Sequence, residues 1–174
     1  MTTAAVTRLP GPDGGALVSR EQFTQLFRAV PSAVSIVAIA EESGVRTTTV
    51  SAFSSLSIDP PMVMLALDRR SSLLPLLSEG TRFTMSILGH DQAEHALACA
   101  KKGPDKLPPA QWRTDGGLFL LVGAIAWTTC RTGRILDGGD HEIVLAFIED
   151  CSVTGDSPLV YHDRAFHRLS CLPG

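Results

Sequence analysis

The sequence predicts a mainly β domain, a β-barrel with helical insertions, and three observations favour this class. Short apolar runs rich in Val, Ile and Leu recur along the chain and are bounded by turn residues, as strands usually are. Only two longer segments carry the apolar period of an amphipathic helix. Helices and strands do not alternate in repeated βαβ units, which argues against a parallel sheet.

The chain is expected to consist of an arm and one domain. Residues 1–18 predict a flexible arm, because Pro10, Pro12 and Gly14 interrupt any periodic pattern. The remaining residues, 19–174, have the length of one domain with its own core.

A first helix is predicted over 19–30. Ser19 is expected to cap it, and Gln22 lies three residues later, which is the spacing of a capping box. Its apolar stripe consists of Phe23, Leu26, Phe27 and Val30. The stripe predicts a helix that packs one face against other apolar residues.

Two further helical segments are expected. The segment 90–102 is amphipathic and is followed by Gly and Pro. A short helix is predicted just after the two arginines of "LDRRSS", with Ser71 or Ser72 as its cap. Pro75 is compatible with this helix only in its first turn.

Six or seven strands are predicted. They occupy a hairpin over 33–53, single strands over 62–68 and 82–88, two long strands over 118–135 and 141–153, and a hairpin over 159–169. Residues 103–117 show no period, so we expect either a functional loop or a disordered connection.

Composition excludes several classes of function. The net charge of −3 and the scattered basic residues predict no nucleic-acid partner. The four cysteines form no C-x-x-C pair, so we expect free thiols and a cytoplasmic protein. No apolar run approaches the roughly 18 residues of a membrane span, and the N-terminus shows no signal peptide, so no membrane association is expected.

No metal site is expected. His90 and His95 are five residues apart, as are His162 and His167. That spacing places the members of a pair on different faces of a helix or strand.

Hydroxyl side chains are concentrated in the segment "TTTVSAFSSLSIDPP". Seven of the eleven residues from Thr47 to Ser57 carry a hydroxyl, and they occur at both odd and even positions, which correspond to the two faces of a strand. Such side chains suit a polar ligand with many oxygen and nitrogen atoms. The alternative is a solvated edge strand.

A second polar segment follows the next strand. "LDRRSS" places two arginines and two serines where a strand ends and a short helix begins. Free backbone amides at such a position favour a phosphate, and Arg69 or Arg70 could add a charge-assisted contact. The alternative is a helix cap with solvated arginines.

These segments resemble the flavin reductase family. "PSAVSIVA", "TTTVSAFSSLSIDPPMVMLALDRRSS", "RFTMSIL" and "DGGDHEIVLAFIED" occur in the order found in that family, and the resemblance runs from about Phe23 to Leu169. It implies an FMN-binding split β-barrel and a homodimer. It also implies a reductase that supplies reduced flavin to a partner monooxygenase of aromatic-compound or natural-product metabolism.

The resemblance implies a set of cofactor-binding residues. FMN or FAD would be bound along the hydroxyl-rich strand and by the segment around "LDRRSS", where we assign Arg69 to the phosphate. The residues implied are Thr47, Thr48, Thr49, Ser51, Ala52, Ala66, Leu67, Asp68, Arg69, Ser71 and Ser72.

The electron donor, NADH or NADPH, would bind beside the flavin. His141 of "GGDH" is expected to orient it as the catalytic side chain, with Asp140 positioning the turn and Ala33 and Phe166 shaping the same side. No G-x-G-x-x-G follows any strand, so a nicotinamide would fold against the flavin rather than lie across a Rossmann sheet.

Three residues depart from the family pattern. The family usually has Gly where Ala33 stands, often Ser where Ala52 stands, and commonly Asn where Ser86 stands. The added methyl of Ala33 is expected to weaken nicotinamide binding. Two other functions stay open, namely a protein with permanently bound flavin, such as an oxidase or electron carrier, and a non-catalytic flavin-binding module.

Overall fold

A computed structural model describes residues 17–42, 44–103 and 107–170. The predicted flexible arm falls almost entirely on residues 1–16, which lie outside this range. Two α-helices and twelve strands occur in the described residues. The helices are α1 (Arg20–Arg28) and α2 (Ala93–Ala100), and the strands are β1 (Ser32–Ala33), β2 (Ser35–Glu41), β3 (Gly44–Val50), β4 (Phe53–Ser57), β5 (Met62–Asp68), β6 (Arg82–Ile87), β7 (Trp112–Asp115), β8 (Leu118–Leu121), β9 (Ala126–Gly138), β10 (His141–Val153), β11 (Leu159–His162) and β12 (Ala165–Arg168).

One antiparallel sheet organises the molecule. Its seven strands lie in the order β3-β2-β6-β9-β10-β5-β4. A three-stranded sheet, β1-β11-β12, and a two-stranded sheet, β7-β8, complete the described β-structure. All the strand pairs are antiparallel, which confirms the predicted mainly β class with helical insertions.

The apolar strand residues form two packed cores. Leu65, Phe83 and Val144 are fully buried in the larger one. The second core contains Ile36 and Leu88 together with Cys99 of α2. In β5 buried residues alternate with partly buried ones, so the other face of this strand is free to line a groove.

Helix α1 begins as the sequence predicts. The Ser19 hydroxyl accepts a hydrogen bond from the Gln22 amide at 3.1 Å, and the Gln22 side chain accepts one from the Ser19 amide at 2.9 Å. The predicted burial of its apolar stripe does not occur within the subunit. Its four residues are about half exposed: Phe23 53%, Leu26 62%, Phe27 54% and Val30 47%.

The predicted number of strands is too low. The expected strand over 118–135 is broken between β8 and β9, because Gly123 has φ +77°, which a β-strand does not permit. Part of the aperiodic segment 103–117 forms β7, which pairs with β8. The prediction of a loop there is therefore wrong for 112–115, and Pro104–Lys106 lie outside the described residues.

Two local expectations are also corrected. The predicted hairpin over 33–53 ends at Val50, and Phe53 belongs to β4, which pairs with β5. The short helix after "LDRRSS" is a single 3₁₀ turn, Leu74–Leu76, with Pro75 in its first turn as expected. A 3₁₀ turn of this length is common between a turn and an extended segment.

Candidate functional site

A polar groove of about 430 Å³ lies between β3 and β5. β3 ends at Val50, and the residues just after it line the groove. The remaining lining comes from the turn after β5, the end of α2 with the residues that follow it, and the first residue of β10. The lining residues are Thr48, Thr49, Val50, Ser51, Ala52, Ala66, Leu67, Asp68, Arg70, Ser71, Ser72, Ala100, Lys101, Lys102, Gly103 and His141. Nine of the eleven predicted cofactor-binding residues are among them.

Three hydroxyls in the groove have no protein partner. The side chains of Thr48, Ser51 and Ser72 form no hydrogen bond within the described residues. Hydroxyls of this kind can each donate one hydrogen bond and accept two. The groove therefore presents unused donors and acceptors to a ligand, as the predicted flavin site requires.

The hydroxyl of Thr49, in contrast, has a partner within the protein. It donates a 2.6 Å hydrogen bond to the carbonyl of Ala96 in α2. This bond ties the helix to β3, so that Ala100 at the end of α2 reaches the groove. Thr49 thus contributes to the wall through α2 as well as through its own lone pairs.

The turn after β5 places Arg70 on the groove side. The Asp68 carboxylate accepts hydrogen bonds from the Arg70 amide at 2.8 Å and from its guanidinium at 2.6 Å, and the Ser71 amide donates to the Asp68 carbonyl at 2.7 Å. Arg70 holds the pKa of the Asp68 carboxyl well below its usual range. The arginine is therefore oriented by a carboxylate that stays ionised near neutral pH.

Arg69, which we assigned to the phosphate, does not line the groove. Its guanidinium donates to Glu142 at 2.9 Å, to Asp137 at 2.8 Å and to the Gly139 carbonyl at 2.8 Å. These contacts hold Arg69 against the turn between β9 and β10, whereas Arg70 lines the groove.

Thr47 also lies outside the groove lining. It is on β3 but is only 3% exposed. The next residue, Thr48, is partly buried and lines the groove. Its predicted contact with a cofactor is not supported by this position.

His141 lies at the groove, at the start of β10 and opposite Asp68 in the β5–β10 register. Its Nδ1 is 2.7 Å from the Asp140 carboxylate. The hydrogen bond from His141 lowers the pKa of Asp140, so the carboxylate accepts and Nδ1 carries the hydrogen. This leaves Nε2 as the ring nitrogen available to a ligand.

Two residues predicted for the nicotinamide side do not line the groove. Ala33 is exposed on β1, and Phe166 is half-buried on β12. They belong to one sheet, since β11 pairs with both strands. The Phe166 ring packs against the second core and lies 5.4 Å from the ring of Tyr161.

Residues that sequence analysis missed come from the end of α2. Lys101 and Lys102 line the groove, and Gly103 has φ +112°, which turns the chain at that point. The adjacent lysines before Gly-Pro are visible in the sequence, but nothing local indicates that the helix packs beside β3. The Asp-x-Arg spacing of Asp68 and Arg70 is a usable signal, because Asp often bonds the backbone two residues on.

The described residues contain no group of three or more side chains able to hold a metal ion. The expectation that His162 and His167 stay apart is wrong, since their rings lie 5.8 Å apart across the turn between β11 and β12. A hairpin brings together positions that a single strand would separate. In the part of the chain that is described, no helix is both long and apolar enough to cross a bilayer.

The sequence profile described as the flavin reductase like domain matches residues 27–170. The chain belongs to this family. That match covers β1 to β12 and every residue that lines the groove. The resemblance inferred from the sequence motifs is confirmed.

Curated relatives of the flavin reductase family are similar over most of the chain. The reductase component of 4-hydroxyphenylacetate 3-monooxygenase from Thermus thermophilus is 34% identical over 154 residues, covering 86% of this chain and 97% of the relative. An NADH:riboflavin 5'-phosphate oxidoreductase from Streptomyces pristinaespiralis is 32% identical over 156 residues, covering 86% of this chain and 88% of the relative.

A solved family structure has the same fold. The flavin reductase of styrene monooxygenase from Pseudomonas putida S12 superposes with a TM-score of 0.77 and 30% sequence identity, covering 87% of this chain and 99% of that one. The expected split-barrel class is confirmed by this similarity.

Proposed function

We propose that this chain is an NAD(P)H-dependent flavin reductase that supplies reduced FMN or FAD to a partner monooxygenase. The observation that carries the proposal is the groove, in which unpartnered hydroxyls and an oriented arginine converge on one cavity. Its relatives include reductase components of two-component monooxygenases.

The residues of β3 and β5 hold the flavin in this proposal. Thr48, Ser51 and the backbone around Ala52 bind polar atoms of the ring and ribityl chain. Arg70 and Ser72 bind the terminal phosphate, with the arginine kept in place by Asp68. A bound flavin would itself accept the hydride from the nicotinamide, so the protein needs no nucleophile of its own.

His141 orients the nicotinamide beside that flavin. Asp140 fixes its tautomer, and the free Nε2 can hydrogen-bond a polar group of the donor. What the side chain contributes is position, because hydride transfer requires the reacting atoms about 3–3.5 Å apart. Ala33 and Phe166 lie on the separate β1-β11-β12 sheet. They contribute to the nicotinamide site only if the bound ligand or a second copy of the chain places them beside the groove.

Steady-state oxidation of NADH and NADPH with FMN, FAD and riboflavin tests this function. We expect added flavin to stimulate oxidation by the purified protein. Flavin that stays bound through purification would favour the oxidase or electron-carrier alternative. Flavin binding without oxidation of either donor would favour the non-catalytic module and contradict the reductase assignment.

Replacement of His141 by alanine is expected to raise the KM for NAD(P)H. Loss of one hydrogen bond of roughly 1–1.5 kcal/mol corresponds to about a tenfold change. The KM for flavin should change much less. His90→Ala removes an exposed histidine outside the groove and is the matched control. Equal KM values for the donor in both variants would remove His141 from the nicotinamide site.

We also propose a homodimer. The segments 118–127 and 143–148 offer hydrophobic surface to a partner, and their residues Val122 and Phe147 are 49% and 40% exposed. Further exposed apolar residues lie on α1 and at Leu56 and Ile58, which is 94% exposed. Burial of this surface would favour association.

Light scattering measures the assembly directly. We expect about twice the chain mass of 18.5 kDa. Leu26→Asp adds a charge to the exposed stripe of α1 and should shift the protein toward the single-chain mass. A single-chain mass for the unaltered protein, with full reductase activity, would contradict the dimer.

A cytoplasmic location is part of the proposal. Cys130 and Cys151 are free thiols. Burial raises the pKa of the Cys130 thiol to about 11, so it stays protonated and unreactive at neutral pH. Free cysteines are typical of a reducing compartment, where NAD(P)H is also made available. Fractionation of the source cells checks the location.

A further inference from the structure

The groove has more positive charge than a single phosphate group requires. Among the described residues that line it, the lysine and arginine side chains are Arg70, Lys101 and Lys102, and the one carboxylate is that of Asp68, which is paired with Arg70. The whole chain carries a net charge of −3. An excess of positive charge in one cleft of an acidic protein attracts anionic ligands to that cleft.

The two lysines come from a different element than the arginine. Arg70 follows β5, whereas Lys101 and Lys102 follow α2 and lie on the β3 side, where Thr49 binds the Ala96 carbonyl. Both lysines are exposed, and neither forms an ion pair within the described residues. Their charges are therefore available to a ligand in the groove.

A role limited to helix stability does not account for this arrangement. Cations after a helix C-terminus stabilise it by a few tenths to about 1 kcal/mol wherever they point. Here both residues line the groove that contains the unpartnered hydroxyls of Ser51 and Ser72. The lysines and the Arg70 turn thus form two separate anion-binding elements of one cavity.

On the basis of the proposed flavin reductase function, we infer that Lys101 and Lys102 bind the diphosphate of a dinucleotide and that this dinucleotide is FAD. Arg70 and the serines of its turn hold the phosphate that FMN and FAD share. The lysines bind the second phosphate, which only FAD possesses. The flavin substrate of this chain is then FAD in preference to FMN.

Binding of oxidised flavin to the full chain, measured by isothermal titration calorimetry, tests this inference without turnover. The double variant Lys101→Gln/Lys102→Gln is expected to weaken FAD binding about tenfold and FMN binding less than twofold, since exposed lysines are screened by solvent. ADP should compete with FAD for the unaltered protein and not for the variant. Added salt should reduce the preference for FAD.

Two controls accompany the variant. Lys101→Arg/Lys102→Arg keeps both charges and should retain most of the FAD preference. Arg113→Gln removes an exposed cation that lines a different cavity and should change neither flavin's Kd. Equal weakening of FMN and FAD in the glutamine variant, or no weakening of either, would overturn the inference.

A nicotinamide dinucleotide also contains a diphosphate, and a separate measurement distinguishes this source. A higher KM for NADH in the glutamine variant, with FAD binding unchanged, would overturn the assignment to FAD and move the diphosphate to the donor. Failure of the proposed function is a different result, because it would appear as no NAD(P)H oxidation by the unaltered protein while the binding titrations still proceed.

Discussion

Arg70→Ala is expected to raise the KM for FMN and FAD about tenfold and to leave the KM for riboflavin nearly unchanged. Riboflavin has no phosphate, so only ligands that contact the guanidinium lose affinity. The lost contact is a charge-assisted hydrogen bond, and the change is limited to about tenfold because the side chain of Arg70 is 80% exposed and its charge is screened by solvent. Steady-state kinetics with the three flavins measures the effect.

The variant also leaves the Asp68 carboxylate without its partner beside the phosphate. Arg70→Ala/Asp68→Asn removes this repulsion and should recover part of the loss for FMN. Arg70→Lys keeps a charge but not the planar fork that binds Asp68, so an intermediate KM is expected. An Arg70→Ala enzyme impaired equally with FMN and riboflavin would show that this turn does not hold the phosphate.

Arg69→Ala is expected to lower stability rather than phosphate affinity. The guanidinium joins β5 to two carboxylates at the β9–β10 turn, and the side chain of Asp137 is only 8% exposed. Removal takes the Arg69 guanidinium away from a carboxylate in a poorly solvated position. We expect a loss of about 2–4 kcal/mol in the free energy of unfolding. Denaturant unfolding of the purified protein measures it.

An ion pair at the surface provides the matched control. Arg82 is 46% exposed on the side chain and contacts Glu149, which also pairs with Arg131. Arg82→Ala should therefore cost less than about 1 kcal/mol. The ratio of the KM values for FMN and riboflavin should be the same in Arg69→Ala as in the unaltered protein. A change in that ratio, with unchanged stability, would show that Arg69 binds the flavin phosphate.

Local sequence was sufficient where a structure depends on neighbouring residues. The Ser19 and Gln22 pair predicted the start of α1, because a capping box involves only residues three apart. The strand "MVMLALD" was predicted to end at Asp68, and β5 does.

The sequence by itself therefore determined the mainly β class, the family, and the two segments that flank the groove, since each depends on short-range pattern and on motif order. Only the tertiary structure decided which arginine faces the ligand, because that depends on Asp137 and Glu142, nearly seventy residues away or more. It also brought Lys101 and Lys102 to the groove through the bond between Thr49 and Ala96. Contacts between residues so distant in sequence arise from strand pairing and helix packing, and no local spacing encodes them.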